Sequence, residues 1–294
     1  MPPLLQLEAP ERPWRLRRGT PGERWLGRVR RVAMAALVGA ALAACVGADE
    51  NVYVEESVEK LYNKGMDALA SNRIAIAVAA FDEVERQHPY SPWATRAQLM
   101  AAYAYYQANL YDQAISYAEH FIQLHPGHRD AAYARYLKAI SYYEQISDVA
   151  RDQKKTELAL AALNEVVRRH PDTAYGRDAK LKIDFARDHL AGKEMDVGRF
   201  YLRGGAYIAA INRFRAVIEN YQTTTHVPEA LHRLTESYLA LGVVEEAQAA
   251  AAVLGHNYPG GRWYQDSYAL LNGQALEPEA SERSWITRLW KSMF

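Results

Sequence analysis

Cysteine is nearly missing from this chain: Cys45 is the single one among 294 residues. One thiol excludes an intrachain disulfide. Glycine (17) and proline (12) are sparse for this length, and β-branched runs are rarer still. No segment keeps the period-two alternation of a half-buried strand, while alanine and tyrosine are plentiful, so the composition favours helices. Charge of one sign is also lacking, with 35 basic against 35 acidic side chains. The first 44 residues hold eight Arg and three Glu, which leaves 27 basic and 32 acidic residues beyond them. That balance gives no basic footprint for nucleic acid. Three catalytic signatures are absent from the sequence: a Gly-rich phosphate loop, a Gly-x-Ser-x-Gly elbow and a His-Glu-x-x-His helix. The sequence therefore reads as non-enzymatic and without a resident cofactor or metal.

The apolar run Val32–Ala44 spans 13 residues, whereas a membrane-crossing helix needs about 20. Arg28, Arg30 and Arg31 precede it and Leu42-Ala43-Ala44-Cys45 closes it. A basic start, a short hydrophobic core and small residues at a cleavage point form a secretory signal. The last four residues resemble a bacterial lipobox. The resemblance implies cleavage before Cys45, with a diacylglycerol and an N-acyl chain carried covalently there. Residues 1–28 form an unusually long basic lead, so translation is expected to start near Val29. The residue after Cys45 is Val46 rather than Asp, which by the same resemblance directs the protein to the outer membrane, on its periplasmic face. On this reading residues 1–44 are leader and signal and 45–54 are a lipidated linker.

The rest of the chain repeats itself. At an offset of 133, Phe81–Pro89 lies over Phe214–Gln222, Ala97 over Ala230, Ala114 over Ala247 and Pro126 over Pro259. At an offset of 37, Pro89 meets Pro126, Ala102 meets Ala139 and Tyr105-Tyr106 meets Tyr142-Tyr143. Each unit reads as helix, turn, helix and a stop such as His-Pro, where proline prevents continuation. Self-similarity at this period resembles tetratricopeptide repeats. The predicted fold is all-α: a right-handed superhelical solenoid of about five units at 55–89, 92–126, 129–171, 176–222 and 225–259. Residues 55–171 form its N-terminal repeats and 172–273 its C-terminal ones. Small residues at Gly65, Ala77, Ala102, Ala114, Ala118, Ala247 and Ala251 are expected where paired helices approach closely. The third unit carries extra residues around Ile146–Thr156. The stretch Tyr175–Arg203 reads as one long helix, or two in line with a break near Gly192.

Several residues are candidates for binding. Tyr90, Trp93, Tyr103, Tyr105, Tyr106 and Tyr111 form an aromatic cluster. Tyr105 holds a packing position, while Tyr90 and Trp93 fall in an inter-repeat turn and are the better groove candidates, since a flat ring with a polar tip suits an extended peptide. His120, His125 and His128 flank one helix C-terminus, where the dipole favours a protonated imidazole. In the tail 274–294, Trp285, Ile286, Leu289, Trp290, Met293 and Phe294 recur at helical spacing. That helix could cap the solenoid, bind a partner or lie on a membrane surface.

His88-Pro-Tyr-Ser-Pro-Trp93, the run Ala97–Tyr106 and Arg203–Arg213 together resemble the BamD (ComL) family of outer-membrane assembly lipoproteins, over about residues 45–260. The resemblance implies a lipid-anchored subunit of the β-barrel assembly machinery. Its partners would be the POTRA region of the barrel subunit BamA, other lipoproteins of that complex and unfolded outer-membrane proteins. It places a substrate-peptide groove around His88, Tyr90 and Trp93, and a BamA contact at Asn212 and Arg213. The alternative is another tetratricopeptide envelope scaffold, coordinating cell division or peptidoglycan synthesis, or a lipoprotein adaptor for hydrolases.

Overall fold

Two kinds of turn alternate along the chain and set its architecture. The computed structural model describes residues 55–272 together with Ile286, Leu289 and Ser292. Cys45, the signal and most of the tail lie outside the described residues. Among the described residues there are eleven α-helices and no strand: α1 Val58–Ala70, α2 Ile74–Gln87, α3 Pro92–Gln107, α4 Tyr111–Leu124, α5 Ala131–Tyr143, α6 Lys154–Arg169, α7 Ala174–Arg203, α8 Tyr207–Asn220, α9 Val227–Ala240, α10 Val244–Asn257 and α11 Arg262–Asn272. Each packs on its neighbours in the chain. The first ten form five helix–turn–helix units, a helical repeat solenoid.

Within units one, two, four and five the two helices are joined by three residues, the middle one left-handed. Those residues are Asn72 (φ 55°), Asn109 (φ 59°), Gly205 (φ 72°) and Gly242 (φ 73°). They obey the offsets of 37 and 133 found in the sequence. Asparagine and glycine are the residues that accept this backbone conformation at least cost. The next amide then reaches back to the helix, Arg73 N to the Ala68 carbonyl at 2.8 Å and Val243 N to that of Tyr238 at 2.9 Å. This is a Schellman closure, satisfying carbonyls that the helix end leaves open.

Between units the turn is different and equally regular. The second helices end at His88, His125, His170, Tyr221 and Tyr258, all with φ between −128° and −139° and ψ between 44° and 55°. Every one of these positions carries a ring. His88 Nε2 donates to the Glu56 carbonyl at 2.8 Å, His125 Nε2 to Gln98 Oε1 at 3.0 Å, and His170 Nε2 accepts from Arg135 Nη1 at 3.4 Å. The following helix starts are capped where the sequence allows. Ser91 Oγ accepts from Trp93 N, and Thr173 Oγ1 from Gly176 N, which satisfies amides that the first turn leaves open.

Close approach inside units one and four depends on a glycine facing a buried ring. Phe81, Phe121 and Phe214 are fully buried, each contributing about 1.5–3 kcal/mol. A Cβ built on Gly65 would stand 2.5 Å from Phe81 Cε1, and one on Gly198 would stand 2.4 Å from Phe214 Cε1. The two glycine–phenylalanine pairs are again 133 residues apart. Ala77, Ala102, Ala114, Ala118, Ala247 and Ala251 are likewise completely buried.

The first helices of units one to four touch in succession, α1 with α3, α3 with α5 and α5 with α7, whereas no comparable contact joins their second helices among the described residues. An array held closer along one edge curves toward that edge, so the first helices line the inner, concave side. α7 runs unbroken for 30 residues, through Gly192. That glycine leaves room for other groups: an added Cβ would meet His226 Nε2 at 3.2 Å and both Val149 methyls at 3.6 Å. Val149 belongs to the extra residues of unit three, which form the connection 144–153. This loop is tied down by the Gln153 amide, which donates to the carbonyls of Asp148, Val149 and Arg151, and by Lys193 Nζ, which donates to Ala150 O at 2.9 Å. The connection thus lies slightly earlier than the expected 146–156, because helix α5 ends at Tyr143, helix α6 already begins at Lys154 and Thr156 is buried in it. After unit five, α11 packs on α9 and α10. Ile286 is completely buried in the same C-terminal core and Leu289 packs against it.

Candidate peptide and partner binding faces

The turn between units one and two gathers His88, Tyr90 and Trp93, but they face different environments. Tyr90 is fully exposed. Trp93 is half-buried, its ring 4.8 Å from Tyr62 and tilted 58° to it, while Tyr62 in turn meets Phe81 at 5.6 Å. The Arg96 guanidinium lies 5.5 Å above the Trp93 ring, a cation–π arrangement that leaves a charged edge beside the indole. His88 occupies the ring-bearing cap position shared by all five units and holds the start of the described chain through Glu56. Of the three residues, Tyr90 is the one whose side chain the fold leaves free.

From this turn an aromatic surface continues over the inner side. Tyr103 and Tyr106 on α3, Tyr133 and Tyr136 on α5 and Tyr175 on α7 are all half-buried and adjacent. Tyr133 and Tyr136 lie 5.5 and 5.1 Å from the Tyr175 ring. The Tyr136 hydroxyl donates to Asp178 Oδ2 at 2.6 Å. Burial, followed by the neighbouring Tyr103, Tyr175 and Tyr106, pushes the Tyr133 phenol well above its ordinary value. The Tyr133 hydroxyl therefore stays protonated at physiological pH and can donate a hydrogen bond to a chain laid across it. Further along α7, Phe185 remains 52% exposed with the Tyr143 ring 5.6 Å away. The sequence singled out Tyr103 and Tyr106 but missed their continuation through Tyr133, Tyr136 and Tyr175. Their spacing on separate helices leaves no local pattern to read. Tyr105 turns the other way, packing on the first core beside Tyr117 at 5.1 Å.

The second predicted contact lies on α8. Asn212 is exposed. The Arg213 side chain is 46% exposed and is not alone, since its Nη1 sits 3.2 Å from Glu194 Oε2 on α7. Ile208, one helical turn before Asn212 on the same face, is 69% exposed, an apolar neighbour that sequence reasoning overlooked. Glu194 and Arg213 are 19 residues apart, a separation that carries no local signal either. Among the described residues no three His, Cys, Asp or Glu side chains are grouped to hold a metal ion; the His125 ring bonds Gln98 of α3 and His128 Nδ1 accepts from Asp130 N.

A curved stack of helix pairs, with tyrosines along its inner side and an arginine-bearing helix in its C-terminal half, defines a helical repeat solenoid of the tetratricopeptide kind. Residues 54–254 match the family model described as "YfiO: Outer membrane lipoprotein". The chain is similar to proteins named outer membrane protein assembly factor BamD. Identity is 56% over 247 residues with that of Caulobacter vibrioides, covering 83% of this chain and 81% of that protein. It is 44% over 235 residues with that of Rickettsia prowazekii, covering 80% and 94%, and 35% over 246 residues with that of Neisseria meningitidis serogroup A, covering 79% and 92%. The chain belongs to this YfiO/BamD family of outer membrane lipoproteins.

Proposed function

We propose that this protein is an outer-membrane protein assembly factor: a non-enzymatic solenoid, held by lipid at Cys45 on the periplasmic face of the outer membrane. It brings unfolded outer-membrane proteins to the barrel-forming subunit BamA. The observation that carries the reading is the family match, which spans nearly the whole repeat array and therefore both faces described above. In this reading the N-terminal inner side takes an extended substrate chain. Tyr90 and Trp93 meet it at the inter-repeat turn, and the tyrosines of α3, α5 and α7 offer rings and hydroxyls further in. In the C-terminal half, Asn212 and Arg213 dock the POTRA region of BamA, with the guanidinium seeking a carboxylate and Ile208 supplying apolar area beside it. The imidazoles at His88, His125 and His170 are engaged in helix caps, which supports a scaffold rather than a catalyst.

The test is co-purification. The chain, tagged at its C-terminus and extracted in mild detergent, is expected to bring down BamA, and Arg213→Ala is expected to lose most of it. Absence of BamA from the wild-type sample would overturn the assembly role and return the envelope-scaffold alternative.

A further inference from the structure

Arg213 is already occupied. Its guanidinium lies 3.2 and 3.5 Å from the two oxygens of Glu194, and the pair is open to solvent, with side-chain exposures of 46% and 24%. A partner carboxylate approaching Arg213 meets a negative charge already seated there, and like charges brought together raise the cost of docking. The pair is not locked by burial, so its own contribution to stability is small.

Behind Glu194 lies a place for it to go. A cavity of about 370 Å³ opens between α7 and the 144–153 loop. Glu194 lines it with Lys193, Arg151, Glu157, Asp152 and Tyr221. Burial, followed by the carboxylates of Glu194 and Glu157, raises the Tyr221 phenol above its ordinary value, so Glu194 already bears on this cavity while it pairs with Arg213. Arg151 and Lys193 offer the cavity two cations. The loop carrying Arg151 is the insertion that distinguishes unit three, and it is fixed against α7 through Lys193 itself.

We infer that Glu194 is an internal stand-in for the partner's carboxylate: it holds Arg213 in the free protein and withdraws toward Arg151 and Lys193 when an acidic partner side chain takes its place. This rests on the reading of Arg213 as the partner contact. It adds a residue that sets the strength and selectivity of that contact. An incoming neutral or basic surface cannot displace Glu194, whereas a carboxylate placed bidentately on the guanidinium can.

The test uses the purified full-length mature protein and the purified periplasmic region of BamA from the same cell, with dissociation constants measured at low and at physiological salt. Arg213→Ala is expected to weaken binding by about tenfold or more, as removal of an interfacial arginine anchor does. Glu194→Gln keeps the shape and removes the competing charge. It is expected to tighten binding by about three- to fivefold, the scale of an exposed ion pair, with the gain shrinking as salt rises. In the Arg213→Ala background the same Glu194→Gln change is expected to do nothing. If Arg213→Ala weakens binding but Glu194→Gln leaves it unchanged or weaker, the stand-in role of Glu194 is wrong and the Arg213 contact stands. If Arg213→Ala leaves binding unchanged, the contact itself is wrong and the inference falls with it. Matching unfolding midpoints in all variants exclude misfolding as the cause.

Discussion

Replacing Gly198 by alanine tests how the C-terminal half is held together. Gly198 sits on α7 against the fully buried Phe214 of α8. The added methyl would stand 2.4 Å from Phe214 Cε1 and 2.9 Å from Cδ1 and Cζ, well inside contact distance. The ring has nowhere to retreat, because Val217, Leu231 and Leu234 around it are also completely buried. Overpacking of this kind costs about 1–3 kcal/mol, while alanine in place of glycine in a helix returns about 1 kcal/mol. The net loss is thus centred near 1 kcal/mol, which for a domain of this size lowers the thermal midpoint by about 2–4 °C. Circular dichroism melts of the mature protein would measure it. Two comparisons make the result specific. Gly127→Ala, where nothing lies within 4 Å of the new Cβ, is expected to leave the midpoint unchanged. Adding Phe214→Leu to Gly198→Ala is expected to cost less than the two single changes combined, since the smaller side chain gives the methyl room. A Gly198→Ala protein as stable as the wild type, or more so, would refute the close-approach argument for both glycine–phenylalanine pairs.

Other expectations follow from the same geometry. Tyr90→Ala is expected to leave the melting midpoint unchanged, because the side chain touches nothing, and to weaken binding of a peptide ending in an aromatic residue by about tenfold; equal affinity in a fluorescence titration would remove Tyr90 from the groove. The buried His232, whose Nδ1 lies 2.8 Å from Ser267 Oγ, is held below its ordinary value by burial and then by Arg233. The unfolded chain therefore takes up this proton first as pH falls through about 6.5. Stability is full above that pH and declines below it, so the melting midpoint is expected to drop between pH 7.5 and 5.5, and by less in His232→Gln; an identical drop in both proteins would contradict the assignment. Cys45→Ser is expected to keep the melt of the mature protein and to release it from membranes in cells lacking BamA, as read by fractionation; retention there would mean a second anchor.

Much of the solenoid was legible because its constraint recurs. The offsets of 37 and 133 came from proline, alanine and aromatic positions; both govern the left-handed turn residues, and the offset of 133 also relates the glycine–phenylalanine pairs. Those finer features were harder to read. Asn72 and Gly205 do the same backbone work with different side chains, so no residue identity marks them. Gly192 suggested a break in α7, yet its missing side chain accommodates Val149 and His226 from outside the helix. His88 belonged to a string that pointed to the groove, whereas the recurrence of His125, His170, Tyr221 and Tyr258 at the same cap shows a turn requirement as well. The binding faces were less legible than the fold, since Tyr175 joins Tyr133 and Glu194 joins Arg213 only through tertiary packing. Tyr90 could be picked out because it falls in an inter-repeat turn, whereas Asn212 and Arg213 were marked only by the family resemblance.

The assembly role is tested most directly by depleting this protein from cells and following newly made outer-membrane barrels through their resistance to unfolding in cold detergent gels. Folded barrels are expected to fall and their unfolded forms to accumulate in the periplasm as the protein disappears, with recovery on re-expression. Barrels that continue to fold at their normal rate after complete depletion would contradict it.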